Sequence, residues 1–192
     1  MKKQIVTFIL SLITLIAVYV SLPQATFLFG FSGVSFFAGE IWRIVSFPLV
    51  HVSNAHMLEN IVALFIVLLL SYEFSFSLKE LAFYFFATNL IVAFVTGIIF
   101  PSFFIVGASL GLYAVLGALS LKGKEYIPQP VFFIVFLTII IGNIIFNMLR
   151  GVTIAQPMYH AAGFIVGSVL CYLKSRVKTK GLRNKRKRLK KR

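Results

Sequence analysis

The chain has 192 residues, 59% of them hydrophobic, and a mean hydropathy of +0.96. That excludes an ordinary soluble domain, where about 45–50% apolar is usual. Nineteen Lys and Arg stand against five acids, all Glu, for a net charge of +14. No Asp occurs, which excludes a Ser-His-Asp triad, and the single Cys171 excludes an internal disulfide and a cysteine-based zinc cage.

Met1-Lys2-Lys3 precedes an apolar run from Gln4 to about Ser21. It is longer than a signal-peptide core, and Ser21-Leu22-Pro23-Gln24-Ala25 is a poor cleavage site, so the run reads as an uncleaved first span. A long Gly- and Phe-rich connection follows to about Ala55 and contains Glu40-Ile41-Trp42-Arg43. It is apolar for a loop and reads as half-submerged, with short helices at the interface. Trp42 suits that level, and Arg43 has the i+3 spacing to pair with Glu40.

The second span runs from His56 to about Tyr72 and the third from about Glu80 to Phe100. The fourth covers about Ile105 to Leu121, the fifth about Pro130 to Leu149 and the sixth about Met158 to Leu173. Arg150 to Pro157 reads as an outer loop. Each run has the length to cross about 30 Å of hydrocarbon. The expected architecture is therefore an all-α bundle of six transmembrane helices, residues 1–173, with a long, partly membrane-embedded first outer loop. A basic tail, residues 174–192, follows and carries 12 of the cations.

With the N-terminus inside, 17 Lys and Arg lie on inner segments and only Arg43 and Arg150 on outer ones. By the positive-inside rule both termini are cytoplasmic, and the cell membrane is the expected location. Beside a membrane helix the tail suits anionic lipid. It lacks interleaved aromatics, so no nucleic acid is expected as a partner.

Polar groups in spans are costly and are functional candidates. His56, Ser109 and His160 fall near the outer ends of spans two, four and six. Ser109 lies about four residues into its expected helix, about 6 Å deep, and His160 about two residues into its own. Ser109 needs a base to act as a nucleophile, and His160 can supply one if helices four and six nearly touch. Gly163 and Gly167 share the face of His160 and form a small-residue seam that allows such contact. Gly107, Gly111 and Gly117 thin the fourth helix, and Tyr113, one turn below Ser109, can support the imidazole ring. His56 and Asn60 are i and i+4 and project from one face; both can donate to a developing oxyanion or hold the outer loop. His51 reads as a loop anchor. His56 and Glu59 give H-x-x-E, not the zinc motif H-E-x-x-H, so no metal is expected.

From Glu40 to Gly167 the chain resembles the rhomboid family of intramembrane serine proteases. The resemblance rests on Trp42-Arg43 in a long first loop, the H-x-x-x-N of His56 and Asn60, the G-x-S of Gly107 to Ser109 and the H-x-x-G-x-x-x-G of His160 to Gly167. It implies a six-helix core in which Ser109 attacks a peptide bond and His160 is the general base. It also implies that His56, Asn60 and the Ser109 backbone N–H hold the oxyanion, that transmembrane proteins are the substrates, cut near the outer face, and that no cofactor takes part. Leu110 stands where the family has glycine, and Tyr159 where it has a small residue. These departures motivate the alternative of an inactive rhomboid-like protein that binds membrane clients. A small transporter ranks below both, with Glu59 the charged residue that would serve it.

Overall fold

The computed structural model describes residues 2–21, 24–149 and 155–189. Among them the chain is helical, with one isolated antiparallel bridge between Phe31 and Ile105. In order the helices are α1 (Lys2–Ser21), α2 (Ala25–Phe29), α3 (Gly33–Phe37), α4 (Arg43–Ser46), α5 (Asn54–Glu73), α6 (Leu78–Ile99), α7 (Ser109–Lys122), α8 (Gln129–Leu149) and α9 (Ala155–Leu189). α1, α5, α6 and α8 begin and end within about two residues of the apolar runs read from the sequence. Among the described residues, α5 and α6 have the length and apolarity to cross a membrane.

Local chemistry fixes the ends of these helices. The Ser53 hydroxyl accepts the N–H of His56 at 3.2 Å and so starts α5 just before its polar face. Ser77 and Glu80 form a reciprocal capping box at the start of α6. Lys122 at the end of α7 reaches Glu80 at 3.1 Å and joins the same ends of α6 and α7.

α7 is the central post of the bundle. Leu112, Ala114, Val115, Ala118 and Leu119 are all at most 1% exposed, although four different neighbours surround them. In lipid the attraction between helices comes from close packing, not from exclusion of water, so small residues decide which helices meet. A Cβ on Gly163 would strike the carbonyl oxygen of Leu110. One on Gly167 would strike that of Ala114, and one on Gly117 that of Phe164. The backbones of α7 and α9 therefore touch along about two turns of α7.

The connection between α1 and α5 is internally stapled. Arg43 is 8% exposed. Its guanidinium donates to the carbonyl of Gly30 at 2.8 Å, to that of Phe27, and to Glu40, the i+3 partner. Ser46 bonds the carbonyl of Phe29, Trp42 that of Leu28, and Thr26 that of His51. Arg43 is thus the inner tie of this segment, while Trp42 stays half exposed. The tie carries Phe31 and Phe47 into a cluster with Val92, Ala93, Ile105 and Leu110.

Two helices differ from the sequence reading in where they begin or end. α7 begins at Ser109, not near Ile105. Residues 103–107 are as apolar as a helix, but Ile105 is exchanged into the bridge with Phe31, and Gly107 takes φ +96 while its N–H bonds Phe47. Neither conformation continues a helix. α9 begins three residues earlier than expected and runs on to Leu189, because Lys and Arg favour helix and no proline interrupts them. Residues 150–154 of the expected outer loop lie outside the described residues.

Candidate active site

Ser109 is the first residue of α7, preceded by Ala108 at the N-cap. At that position its backbone N–H has no intrahelical acceptor, and the positive end of the helix surrounds its hydroxyl. The approach to it is set by Gly107. A side chain there would meet left-handed strain, and its Cβ would lie 2.6 Å from Cε1 and 2.8 Å from Nε2 of His56. The imidazole of His56 therefore rests on the bare backbone just before the serine. His51 packs edge-on against the same ring, 5.1 Å between centroids. Burial, with the neighbouring His56 adding to it, pushes His51 down to about 4, so it is neutral at neutral pH.

His160 stands on α9, 5% exposed. Its ring lies flat on Tyr113, with centroids 4.2 Å apart and planes 15° apart. Tyr113 is four residues beyond Ser109 and so on its side of α7. The close seam of α7 and α9 at Gly163 and Leu110 brings the imidazole to this face. Neither ring nitrogen of His160 has a hydrogen-bond partner, so the Ser109–His160 bond is not made in this conformation. In the absence of substrate such bonds are commonly long or misaligned.

A cavity of about 600 Å³ opens over Ser109. His56 and Glu59 of α5, Ser109 and Leu110 of α7, Asn143 of α8 and Tyr159 of α9 contribute to its wall. Asn60 does not line it; its Nδ2 donates back to the carbonyl of His56 at 2.7 Å. His160 lies behind the wall, next to Tyr159. Leu110 is 2% exposed and packs with Phe31 and Val92, so most of its bulk is turned into the core. Tyr159 meets Phe103 at 5.6 Å between ring centroids. Among the described residues no three His, Cys, Asp or Glu side chains gather as metal ligands.

The structure therefore brings Ser109 and His56 together at one cavity, with Gly107 under the His56 ring and with His160 stacked on Tyr113 outside the lining. Sequence reasoning gave no role there to Glu59, Asn143 or Gln156, which also line the cavity. For Glu59 a signal existed: it is i+3 from His56 and shares its face.

The chain matches the family model of the rhomboid domain over residues 38–177. It is similar to the rhomboid protease GlpG of Haemophilus influenzae, with 32% identity over 151 residues, or 74% of each chain.

Proposed function

This chain belongs to the rhomboid family of multi-pass membrane proteins, and on that premise we propose that it is an intramembrane serine endopeptidase with a Ser109–His160 dyad. The supporting observation is the cavity over Ser109, with the His160 ring held on Tyr113 one turn along the same helix.

In this reading the Ser109 oxygen attacks the carbonyl carbon of the scissile bond while a ring nitrogen of His160 takes the hydroxyl proton. The oxyanion of the tetrahedral intermediate is held by the free N–H of Ser109 and by His56. Asn60, which does not line the cavity and gives one Nδ2 hydrogen to the carbonyl of His56, joins them only by turning its second Nδ2 hydrogen towards the substrate. As the C–N bond breaks, His160 passes the proton to the leaving amine. Water then attacks the acyl-serine, His160 takes its proton, and the serine is regenerated. Oxyanion donors contribute about 10²–10³ in kcat each. No carboxylate orients the imidazole; the flat contact with Tyr113 does.

Substrates are transmembrane proteins cut near the outer face. α7 has 14 residues, about 21 Å of helix, short of the 30 Å hydrocarbon layer. This length fits a nucleophile set below the membrane surface. We read six spans with both termini cytoplasmic in the cell membrane, a membrane domain of residues 1–173 and a basic tail of residues 174–192 on anionic lipid, worth about 1 kcal/mol per cation near the surface. No cofactor is required.

The test is cleavage of a single-span protein by purified protein in liposomes. Cleavage that is lost in Ser109→Ala supports the reading, and cleavage unchanged in that variant refutes the nucleophile. The second reading, an inactive binder of membrane clients, is favoured by the unmade Ser109–His160 bond. It predicts no cleavage but retained binding of such proteins.

A further inference from the structure

Glu59 is a carboxylate on the wall of the cavity that holds Ser109. It lies one turn along α5 from His56, which lines the same cavity. It is exposed to the cavity, and among the described residues no Lys or Arg pairs with it. The four other Glu residues do not line the cavity, and two of them are paired, Glu40 with Arg43 and Glu80 with Lys122. A charge facing the interior of a membrane protein is costly and is retained where it meets a partner. Asn143 of α8, whose Nδ2 donates to the carbonyl of Ile139, and Gln156 of α9 line the same cavity. The Asn143 amide oxygen, with that of Gln156, adds neutral acceptors to a wall in which Glu59 is the one acidic side chain among the described residues.

We propose that Glu59 is a specificity-determining residue, which selects substrates carrying Lys or Arg close to the scissile bond. This inference rests on the protease reading above. A peptide drawn into the cavity lies between Ser109 and α5, so a basic side chain next to the cut can set its ammonium or guanidinium against the Glu59 carboxylate and the Asn143 oxygen. An acidic side chain at the same place is repelled. In a partly solvated cavity a charge pair of this kind supports discrimination of about tenfold or more in kcat/KM. Glu59 is not a catalytic residue in this proposal, since it takes no proton from the reacting atoms.

The experiment uses the full chain in liposomes and a set of single-span substrates with Lys, Ala or Glu at each of the three positions on either side of the cut. Wild type is expected to cleave the Lys form about tenfold faster than the Glu form at one position at least. Glu59→Gln should abolish that preference while keeping Ser109 reactive towards a fluorophosphonate. Glu59→Lys should reverse the preference, an outcome that misfolding cannot produce. A wild type that labels at Ser109 but shows no preference, or a preference unchanged in Glu59→Gln, overturns this proposal and leaves the protease reading standing. Absence of both cleavage and labelling overturns the protease reading and this proposal with it.

Discussion

The imidazole of His160 lies flat on the phenol ring of Tyr113, 4.2 Å away and within 15° of parallel. The contact joins α9 to α7 one turn from Ser109 and fixes the plane of the ring. Aromatic pairs are worth about 0.5–1.5 kcal/mol beyond their buried area, which is up to about tenfold in rate. Tyr113→Phe keeps the stack and should stay within about twofold of wild-type kcat. Tyr113→Ala should lose about tenfold with KM little changed. Steady-state cleavage in detergent checks this, and equal rates for the two variants would remove the stack from the mechanism.

Gly163 meets the backbone of α7, not a flexible side chain. A Cβ at residue 163 would strike the carbonyl of Leu110, and this can be relieved only by moving one helix from the other. Misplacement of a catalytic group by about 1 Å can cost about 10²-fold. Gly163→Val should therefore lose about 100-fold in turnover while its helix content by circular dichroism matches wild type. Wild-type turnover would contradict close contact of α7 and α9 at this level.

The helices were legible because their apolar runs are long and bounded by charge, proline or capping residues. The seam of Gly163 and Gly167 was legible from their spacing after His160. The start of α7 was not. Phe103, Phe104, Ile105 and Val106 are as apolar as any helix, and what keeps them out of one is tertiary: the bridge from Ile105 to Phe31 and the bond from the Gly107 N–H to Phe47. Glu59 and Asn143 were visible as polar residues on separate helices. That they face one cavity depends on how α5 and α8 stand, which no local pattern encodes.

Gly107 tests the link between backbone and His56. Alanine there combines left-handed strain, about 1–3 kcal/mol, with a Cβ pressed against the imidazole. Gly107→Ala and His56→Ala should each lower kcat about 100-fold. The double variant should be little worse than either, because both remove the same donor. Additive losses would show that Gly107 acts apart from His56.

His56 and Asn60 should not weigh equally. His56 lines the cavity, whereas Asn60 does not and gives one of its two amide hydrogens to the carbonyl of His56. His56→Ala should cost about 10²–10³ in kcat and Asn60→Ala only about tenfold. Equal losses would mean that Asn60 turns fully towards the substrate during the reaction.

His51 gives a pH prediction. Its pKa falls from the ordinary 6.5 to about 4 on folding, so the unfolded chain binds a proton that the folded chain excludes. Its effect on stability is constant above about pH 6.5 and becomes increasingly unfavourable as pH drops towards 4. His51→Gln should lose less thermal stability than wild type between pH 7 and pH 4.5, measured by melting in detergent. Parallel melting curves for the two would show that His51 is not held neutral.

The most direct measurement is covalent labelling of the protein in liposomes with a fluorophosphonate, with the modified residue located by mass spectrometry. The account predicts a label on Ser109 that disappears in Ser109→Ala and drops at least about tenfold in His160→Ala. An unlabelled Ser109, or labelling indifferent to the loss of His160, would contradict it.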